Sequence, residues 1–225
     1  MTLLQLVNSV LRELREKTTD NVDTDYAQFL VGLVNRAKRE VEEAWDWKAL
    51  RTEVTWSTVL NQVAYNLGTG GVGSSTTTNR SKILNDTYGR PMVYDTTNLA
   101  QLSRMPREIE RGYTILNQTP ASLPNYFSTT LTGTGVYMRM YPKPDAIYPI
   151  TAVFKIPQVD LVLATDEMTI PAAEAVYLLA AAYAAAERGG GQGSEAATLA
   201  SSHQSALSNA IQLDAEVPEL TAYQA

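Results

Sequence analysis

His203 is the single histidine of the sequence, and histidine is the residue type that most often activates a serine nucleophile. Ser201, Ser202 and Ser205 lie within two positions of it. Residues this close along a helix point in different directions, so the spacing does not build a catalytic pair. We therefore expect His203 to pack inside a helix bundle or at a contact between subunits.

Acidic residues around position 170 could supply the acid and the nucleophile that cleave a glycosidic bond. The candidate pairs are Glu167 with Glu174, and Asp166 with Glu167. Both pairs lie where a helix is predicted to begin, and carboxylates stabilise the positive end of a helix. Helix capping therefore explains these acids better than catalysis does. Cleavage of peptidoglycan by Glu167 and Glu174 stays open as an alternative.

A glycine-rich segment offers a third kind of chemistry, because Gly68, Gly70 and Gly73 have the spacing of a dinucleotide-binding fingerprint. Phosphate binding at such a loop needs a helix that begins directly after the glycines. Residues 74–78 are serines and threonines without helical periodicity. We therefore expect a surface loop here and predict no cofactor.

The composition narrows the chemistry further, because cysteine is absent and histidine occurs once, so zinc and iron sites lack their usual ligands. We predict no catalytic, cofactor-binding or metal-binding residues. The N-terminal segment lacks the features of a secretory signal, so we expect synthesis in the cytoplasm. Three Asn-x-Ser/Thr sequences are then chance matches: Asn79, Asn85 and Asn117. The most apolar stretch, residues 172–186, is too short for a membrane span and contains Glu174.

Charge is distributed unevenly over the 225 residues, whose formal net charge is -6. From Asp166 onward, eight acidic residues stand against one basic residue, Arg188. Binding to a phosphate backbone requires clustered lysines and arginines. Tight binding of nucleic acid is therefore not expected.

Two amphipathic helices are predicted in residues 1–51. The first covers about residues 3–17 with Thr2 as its cap, and the second begins near Asp23 or Thr24. Apolar residues at spacings of three and four define the buried face of the second helix: Tyr26, Phe29, Leu30, Leu33, Val34, Ala37, Val41, Ala44 and Trp45. Its outward face is expected to be solvated: Arg36, Lys38, Arg39, Glu40, Glu42 and Glu43.

The period changes to two from Thr52, where Val54, Trp56 and Thr58 alternate with polar residues, as in a half-buried strand. Further strands are predicted at residues 81–88, 92–95, 126–130, 136–141 and 150–156, with a short helix at 98–104 and long loops at 68–80 and 117–125. Residues 52–165 are therefore predicted to form an antiparallel sandwich or barrel. Trp45, Trp47 and Trp56 are expected in the core, and the tyrosines in sheet packing or protein contacts.

Two more helices are predicted in residues 166–216. The third places Pro171 at its first position and continues to Arg188, after which the glycine-rich residues 189–193 break the chain. Ser194 caps the fourth, and its apolar stripe is Leu199, His203, Ala206, Ala210 and Leu213. Because four amphipathic helices must bury their stripes together, we predict an α+β fold with a four-helix bundle built from both chain ends, an inserted β domain, and a loose tail at 217–225.

Several short motifs lie in both helical ends and at the borders of the β region: Trp45-Asp-Trp47-Lys-Ala-Leu50, Thr55-Trp56-Ser-Thr58, Tyr65-Asn-Leu67, Tyr137-Met-Arg-Met-Tyr141-Pro-Lys-Pro144, Ile170-Pro171 and Ala185-Ala-Glu187-Arg-Gly189. Together they resemble the head-to-tail adaptor proteins of tailed bacteriophages, related to tail tubular protein A of short-tailed phages.

The resemblance implies a structural protein of the virion neck that forms a ring, commonly of twelve copies, below the portal of the capsid. Such a ring offers a platform for the tail nozzle or tail tube protein, and DNA passes through its channel without sequence-specific binding. The acidic C-terminal quarter leads us to expect that residues 194–225 approach the portal or the channel. A peptidoglycan hydrolase, and a head-completion or tail-tube protein of another phage type, are the alternatives.

Overall fold

The four long helices lie at the two ends of the chain and the strands lie between them in the computed structural model, which describes residues 1–68, 70–72, 77–106, 109–112, 120–188 and 194–216. Residues 109–112, which lie among the strands, are also helical. The fold is mixed α+β. The described residues fall into two compact units: a helical unit of Met1–Ala49 with Gln158–Ala225, and a β unit of Leu50–Pro157. None of the helices in the described ranges combines the length and the apolar character of a membrane span.

The first helix, α1 (Leu3–Glu13), is capped as predicted by Thr2, which exchanges hydrogen bonds with Gln5 in a capping box. It ends four residues earlier than the predicted Lys17. Arg15 adopts a φ of 56°, and the amides of Arg15 and Glu16 donate to carbonyls of the last turn. This bonding pattern closes the helix end, so Arg15, Glu16 and Lys17 lie beyond the helix.

The second helix, α2 (Asp25–Ala44), begins after Thr24, whose hydroxyl accepts a hydrogen bond from the amide of Ala27 at 3.2 Å. The predicted start is confirmed. Tyr26 and Phe29 were predicted on the buried face, but they lie at the surface with their rings stacked 6.2 Å apart. The buried stripe instead begins at Ala27, so its first turn is offset from the predicted one.

The third helix, α3 (Ala173–Glu187), packs against α1, α2 and the fourth helix, α4 (Ser194–Glu216). Eight of its residues are buried: Ala175, Val176, Leu178, Ala180, Ala181, Ala182, Ala184 and Ala185. Small alanines let neighbouring helices approach from several sides. The prediction that Pro171 occupies the first position of the helix is wrong, because Ala172, with a φ of -126°, precedes the helix.

The fourth helix begins at Ser194 itself, the residue that the sequence predicts as the preceding cap. His203 and Ala210 are buried as predicted, but Leu213 is 67% exposed. Asp214 is buried in its place, because its carboxylate accepts hydrogen bonds from Trp45 Nε1 at 2.9 Å and from the amide of Lys48 at 3.3 Å. The glycine break at 189–193 and the tail at 217–225 lie outside the described residues.

A short 3₁₀ turn at Lys48–Leu50 precedes the strands. The β unit contains nine described strands: β1 Arg51–Ser57, β2 Ala64–Asn66, β3 Lys82–Ile83, β4 Val93–Asp95, β5 Ala100–Gln101, β6 Ser103–Arg104, β7 Tyr126–Thr132, β8 Gly135–Tyr141 and β9 Pro149–Lys155. One sheet has the order β1-β9-β4-β5, with β3 also on β9, and the other has the order β2-β8-β7-β6. All strand pairs are antiparallel except β6 with β7.

Both sheets contribute to one apolar cluster: Val54, Trp56, Tyr65, Leu67, Ile83, Val93, Leu102, Phe127, Val136, Met138, Met140, Ile150, Ala152 and Phe154. The strand predicted from Thr52 is confirmed, with Val54 and Trp56 buried between exposed neighbours. Trp47 and Trp56 are buried, and Trp45 is partly buried.

Two predicted elements of the β unit are wrong. Residues 98–104 are not helical: 98 and 99 belong to a turn, and strands β5 and β6 follow. In the turn, Asp95 accepts hydrogen bonds from the amides of Thr97 and Asn98, and Leu99 adopts a φ of 51°. That turn folds the chain back onto β4. The strand predicted at 81–88 is only Lys82–Ile83, since Asp86 accepts hydrogen bonds from two amides of the following turn.

Candidate functional site

His203 packs inside the helical unit, as predicted, with its Nδ1 atom 2.9 Å from the carbonyl oxygen of Ala175. Ser201, Ser202 and Ser205 are exposed, and the Ser205 hydroxyl donates to the carbonyl of Ser201 at 3.3 Å. The structure therefore does not bring a serine nucleophile to the imidazole among these residues.

A groove of about 540 Å³ lies beside His203, lined by residues of α2, α3 and α4. Two of its polar groups bind each other, since the Tyr183 hydroxyl donates to Glu40 at 2.5 Å, and the Arg36 guanidinium lies over the Tyr183 ring. Burial, with this hydrogen bond, raises the pKa of Tyr183. The groups are arranged as a structural network that joins α2 to α3.

The three acidic residues considered for cleavage of a glycosidic bond, Asp166, Glu167 and Glu174, lie in different surroundings. Asp166 accepts hydrogen bonds from the amides of Val162 and Leu163 at 2.7 and 2.8 Å, and these bonds lower the pKa of its carboxyl. Glu167 and Glu174 are exposed. Asp166 thus caps a turn ahead of α3. Within the described residues, no three acidic or histidine side chains lie close enough to hold a metal ion.

The glycine segment is fixed by its own loop and by the neighbouring hairpin. The amide of Gly68 donates to Asn66 Oδ1 at 2.9 Å, and a Cβ added to Gly68 would lie 1.9 Å from the carbonyl oxygen of Thr134. Gly70 adopts a φ of 73°. Gly68 therefore serves backbone packing, and Gly70 supplies a positive φ that favours glycine. Gly73 and residues 74–76 lie outside the described residues.

The most extensively built polar site surrounds Lys38 and Glu42, which were predicted on the solvated face of α2 but are fully buried. Lys38 Nζ donates to Glu42 Oε1 at 3.2 Å and to the carbonyls of Gln158 and Val159 at 2.9 and 3.0 Å. A segment near residue 160 covers this face of the helix, which is why the prediction is wrong. All three ammonium protons have an acceptor.

Asn35 and Arg39 extend the same site along α2. The Asn35 amide accepts from the Leu161 amide at 2.8 Å and donates to the Leu161 carbonyl at 2.9 Å, while the Leu161 side chain is buried. Arg39 pairs with Asp160, and this hydrogen bond raises the pKa of Arg39. Sequence reasoning missed Asn35 because an asparagine inside a helix has no distinctive spacing.

We call residues 158–166 the clamped segment, because its other end is bound to α1. The amides of Leu3 and Leu4 donate to the carbonyls of Asp166 and Ala164 at 2.8 and 3.1 Å. Its backbone is thus held by polar groups of two helices, and one of these groups, Lys38, is completely buried.

The clamped segment nevertheless exposes three apolar side chains, Val159, Val162 and Leu163, which are 63% to 74% exposed. We call them the apolar ridge. Apolar side chains on a rigidly held backbone are typical of a surface that binds another protein, because little conformational entropy is lost on binding. The apolar ridge can therefore support assembly with another protein subunit.

The comparisons with known proteins agree with an assembly role. A search of the curated proteins finds no match to the chain. The model of the family described as SU10 adaptor protein, however, matches residues 1–223. This match confirms the resemblance to head-to-tail adaptor proteins that the sequence motifs indicated. The chain therefore belongs to the SU10 adaptor protein family and is a structural adaptor of a bacteriophage.

Proposed function

We propose that this adaptor assembles into a ring, commonly of twelve copies, that joins the capsid portal to the tail nozzle or tail tube protein. The observation that carries the proposal is the apolar ridge, whose backbone is held by the buried Lys38. An adaptor must offer preformed contact surfaces, because ordering a loop on binding would weaken each contact. The family membership supports a place in the virion, which we assign to the neck after synthesis in the host cytoplasm.

The charge distribution supports passage of DNA through the ring. Each copy has a formal net charge of -6, and acidic residues predominate from Asp166 onward. An anionic wall repels the phosphate backbone, so DNA slides along it without sequence-specific binding. We propose that residues 194–225 approach the portal or line the channel. A neck structure with these residues on the outer rim, away from the portal, would refute this placement.

We propose a four-helix bundle of residues 1–51 and 166–216 as the assembly domain, with a β sandwich inserted within residues 52–165 and residues 217–225 as a tail. The clamped segment, at the end of the insertion, is bound to the helices. The contacts of α3 with α1, α2 and α4 support the bundle. The apolar cluster shared by both sheets supports the sandwich.

Mixing the chain with portal rings of the same phage tests the adaptor role by native mass spectrometry. We expect a defined number of copies on each portal ring. Replacing Val162 and Leu163 by aspartate should abolish the complex, because charged side chains would oppose burial of the ridge. Leu131→Asp is the matched control, since Leu131 is 57% exposed on β7, and it should leave the complex intact.

The alternatives predict different outcomes. A hydrolase would reduce the turbidity of peptidoglycan, and Glu174→Gln would abolish that activity. A head-completion or tail-tube protein would form rings without the portal or with a different copy number, which electron microscopy counts. Failure of the unchanged chain to bind portal rings would contradict the adaptor proposal.

A further inference from the structure

Three loops meet at one end of the β unit. Strand β9 lies between β1 and β4, and the registers pair Ser57 with Pro149 and Asp95 with Ile150. The loops that follow β1 and β4 and the loop that precedes β9 therefore lie side by side. These loops are residues 58–63, 96–99 and 142–148.

Hydrogen bonds fix these loops to one another. The Thr58 hydroxyl donates to the carbonyl of Ala146 at 3.1 Å and accepts from the amide of Tyr148 at 2.8 Å. The amide of Asn61 donates to the carbonyl of Pro144 at 2.8 Å, and that of Thr96 donates to Pro149 at 3.1 Å. The loops thus form one preformed surface.

Four large apolar side chains project from this surface: Val59, Leu60, Leu99 and Ile147, which are 51% to 90% exposed. We call them the apolar tip. The three loops contain two charged residues, Lys143 and Asp145, and Asp145 already accepts a hydrogen bond from the Tyr148 hydroxyl at 2.7 Å. A surface this poor in positive charge does not suit nucleic acid, whereas a cluster of exposed apolar residues is typical of a protein contact.

The charges of the two units indicate which protein surface covers the tip. The helical unit, Met1–Ala49 with Gln158–Ala225, has 8 basic and 18 acidic residues, whereas the β unit, Leu50–Pro157, has 10 basic and 6 acidic residues. The helical unit is therefore net negative and the β unit net positive. Two helical units repel each other, as do two β units, whereas the β unit of one copy attracts the helical unit of another. The helical unit also carries an apolar patch of its own, the apolar ridge.

We propose that the apolar tip of one copy binds the apolar ridge of a second copy. A contact between two different patches of the same chain is heterologous, and repeated copies of such a contact close into a ring when the rotation permits. The inference rests on the proposed ring and assigns the two surfaces by which its neighbours meet.

The absence of cysteine makes the contact directly testable by disulfide trapping in the complete chain. Two single-cysteine variants, Ile147→Cys and Val162→Cys, are mixed in equal amounts and oxidised, both in solution and on portal rings. We expect the mixed 147–162 disulfide to be the main dimer. Ser202→Cys replaces Val162→Cys in the control mixture, because Ser202 is an exposed residue of α4, and it should trap at least tenfold less.

Three other results of the trapping experiment would each overturn the inference. A main product that joins two Ile147→Cys copies would indicate contact between like tips, and equal trapping with Ser202→Cys would indicate random collision. Absence of any disulfide dimer, in solution and on the portal, would show that tip and ridge do not meet.

A second measurement does not depend on disulfide geometry. Replacing Leu60 and Ile147 by aspartate should weaken self-association at least tenfold in sedimentation, whereas Tyr88→Asp, an exposed change on another turn of the β unit, should not. Unchanged association of the Leu60 and Ile147 variant would refute the contact. If the chain binds portal rings but the 147–162 disulfide does not form, only the contact between tip and ridge is refuted. If the disulfide forms but the chain does not bind portal rings, only the adaptor role is refuted.

Discussion

Lys38 and Glu42 illustrate how a pair with the spacing of a surface ion pair can lie in the interior. Both side chains are fully buried, and their shared neighbours are the backbone carbonyls of the clamped segment. A buried ion pair adds little net stability by comparison with apolar residues, but the loss of one partner leaves an uncompensated charge. The pair therefore fixes the position of the clamped segment more than it adds stability.

Removing the ammonium group tests this role. Lys38→Met should lower the free energy of unfolding by about 3 to 5 kcal/mol, because the buried Glu42 would lose its ion pair with the Lys38 ammonium group. Denaturant unfolding followed by circular dichroism measures the change.

The control is Arg36→Met, which breaks the exposed pair with Glu40 at the same helical spacing together with the contact of Arg36 over the Tyr183 ring. It should cost no more than about 1 kcal/mol. The double variant Lys38→Met with Glu42→Met should recover part of the loss, since neither charge of the pair is then left buried without the other. Equal effects of the two single substitutions would contradict the assigned role of Lys38.

At the scale of elements, Gly68, two residues after β2, determines how closely the β7–β8 hairpin can approach. A Cβ on Gly68 would lie 1.9 Å from the carbonyl oxygen of Thr134, and the neighbouring Gly135 has a φ of 135°. Thr77 completes the contact, because its buried hydroxyl accepts from the amide of Val136 at 3.0 Å and donates to the Leu67 carbonyl at 2.9 Å.

Gly68→Ala should therefore lower the free energy of unfolding by about 1 to 3 kcal/mol, because backbone atoms must move to admit the methyl group. Gly133→Ala is the matched control in the same hairpin, since no atom lies within 4 Å of the added Cβ. It should leave stability unchanged or slightly increased. Thermal unfolding compares the stability of the two variants. A stability loss confined to Gly133→Ala would refute the packing role of Gly68.

Sequence reasoning succeeded for elements in which one local pattern decides the outcome. The start of α2 at Thr24 and the strand from Thr52 follow from a cap and from alternation. It failed where distant contacts decide. Leu213 fits the apolar stripe of α4, yet Asp214 is buried because Trp45, from a distant part of the chain, donates to its carboxylate.

The candidate assembly surfaces were beyond sequence reasoning for the same reason. Val162 and Leu163 are ordinary apolar residues in the sequence, and their exposure follows from the way Asn35 and Lys38 hold the segment's backbone. The apolar tip likewise becomes visible only when strand pairing brings three separate loops together.

At the scale of the whole molecule, the opposite charges of the two units predict that assembly depends on ionic strength. Raising the salt concentration from about 0.05 M to about 0.5 M should weaken self-association, because the screening length falls well below about 10 Å. Sedimentation velocity at both concentrations measures the change. An assembly held by apolar contacts alone would keep or increase its affinity at high salt.

The pairing of β1 with β9 has a consequence for how such a protein can change over evolutionary time. These are the first and last strands of the β unit, and their register places Arg51 opposite Lys155. The chain therefore enters and leaves the unit at adjacent points. Recombination could replace the residues between these points with a foreign domain whose ends lie equally close together. The path of the remaining chain would be preserved. The inserted part could therefore diversify by exchange of a whole domain as well as by point substitution.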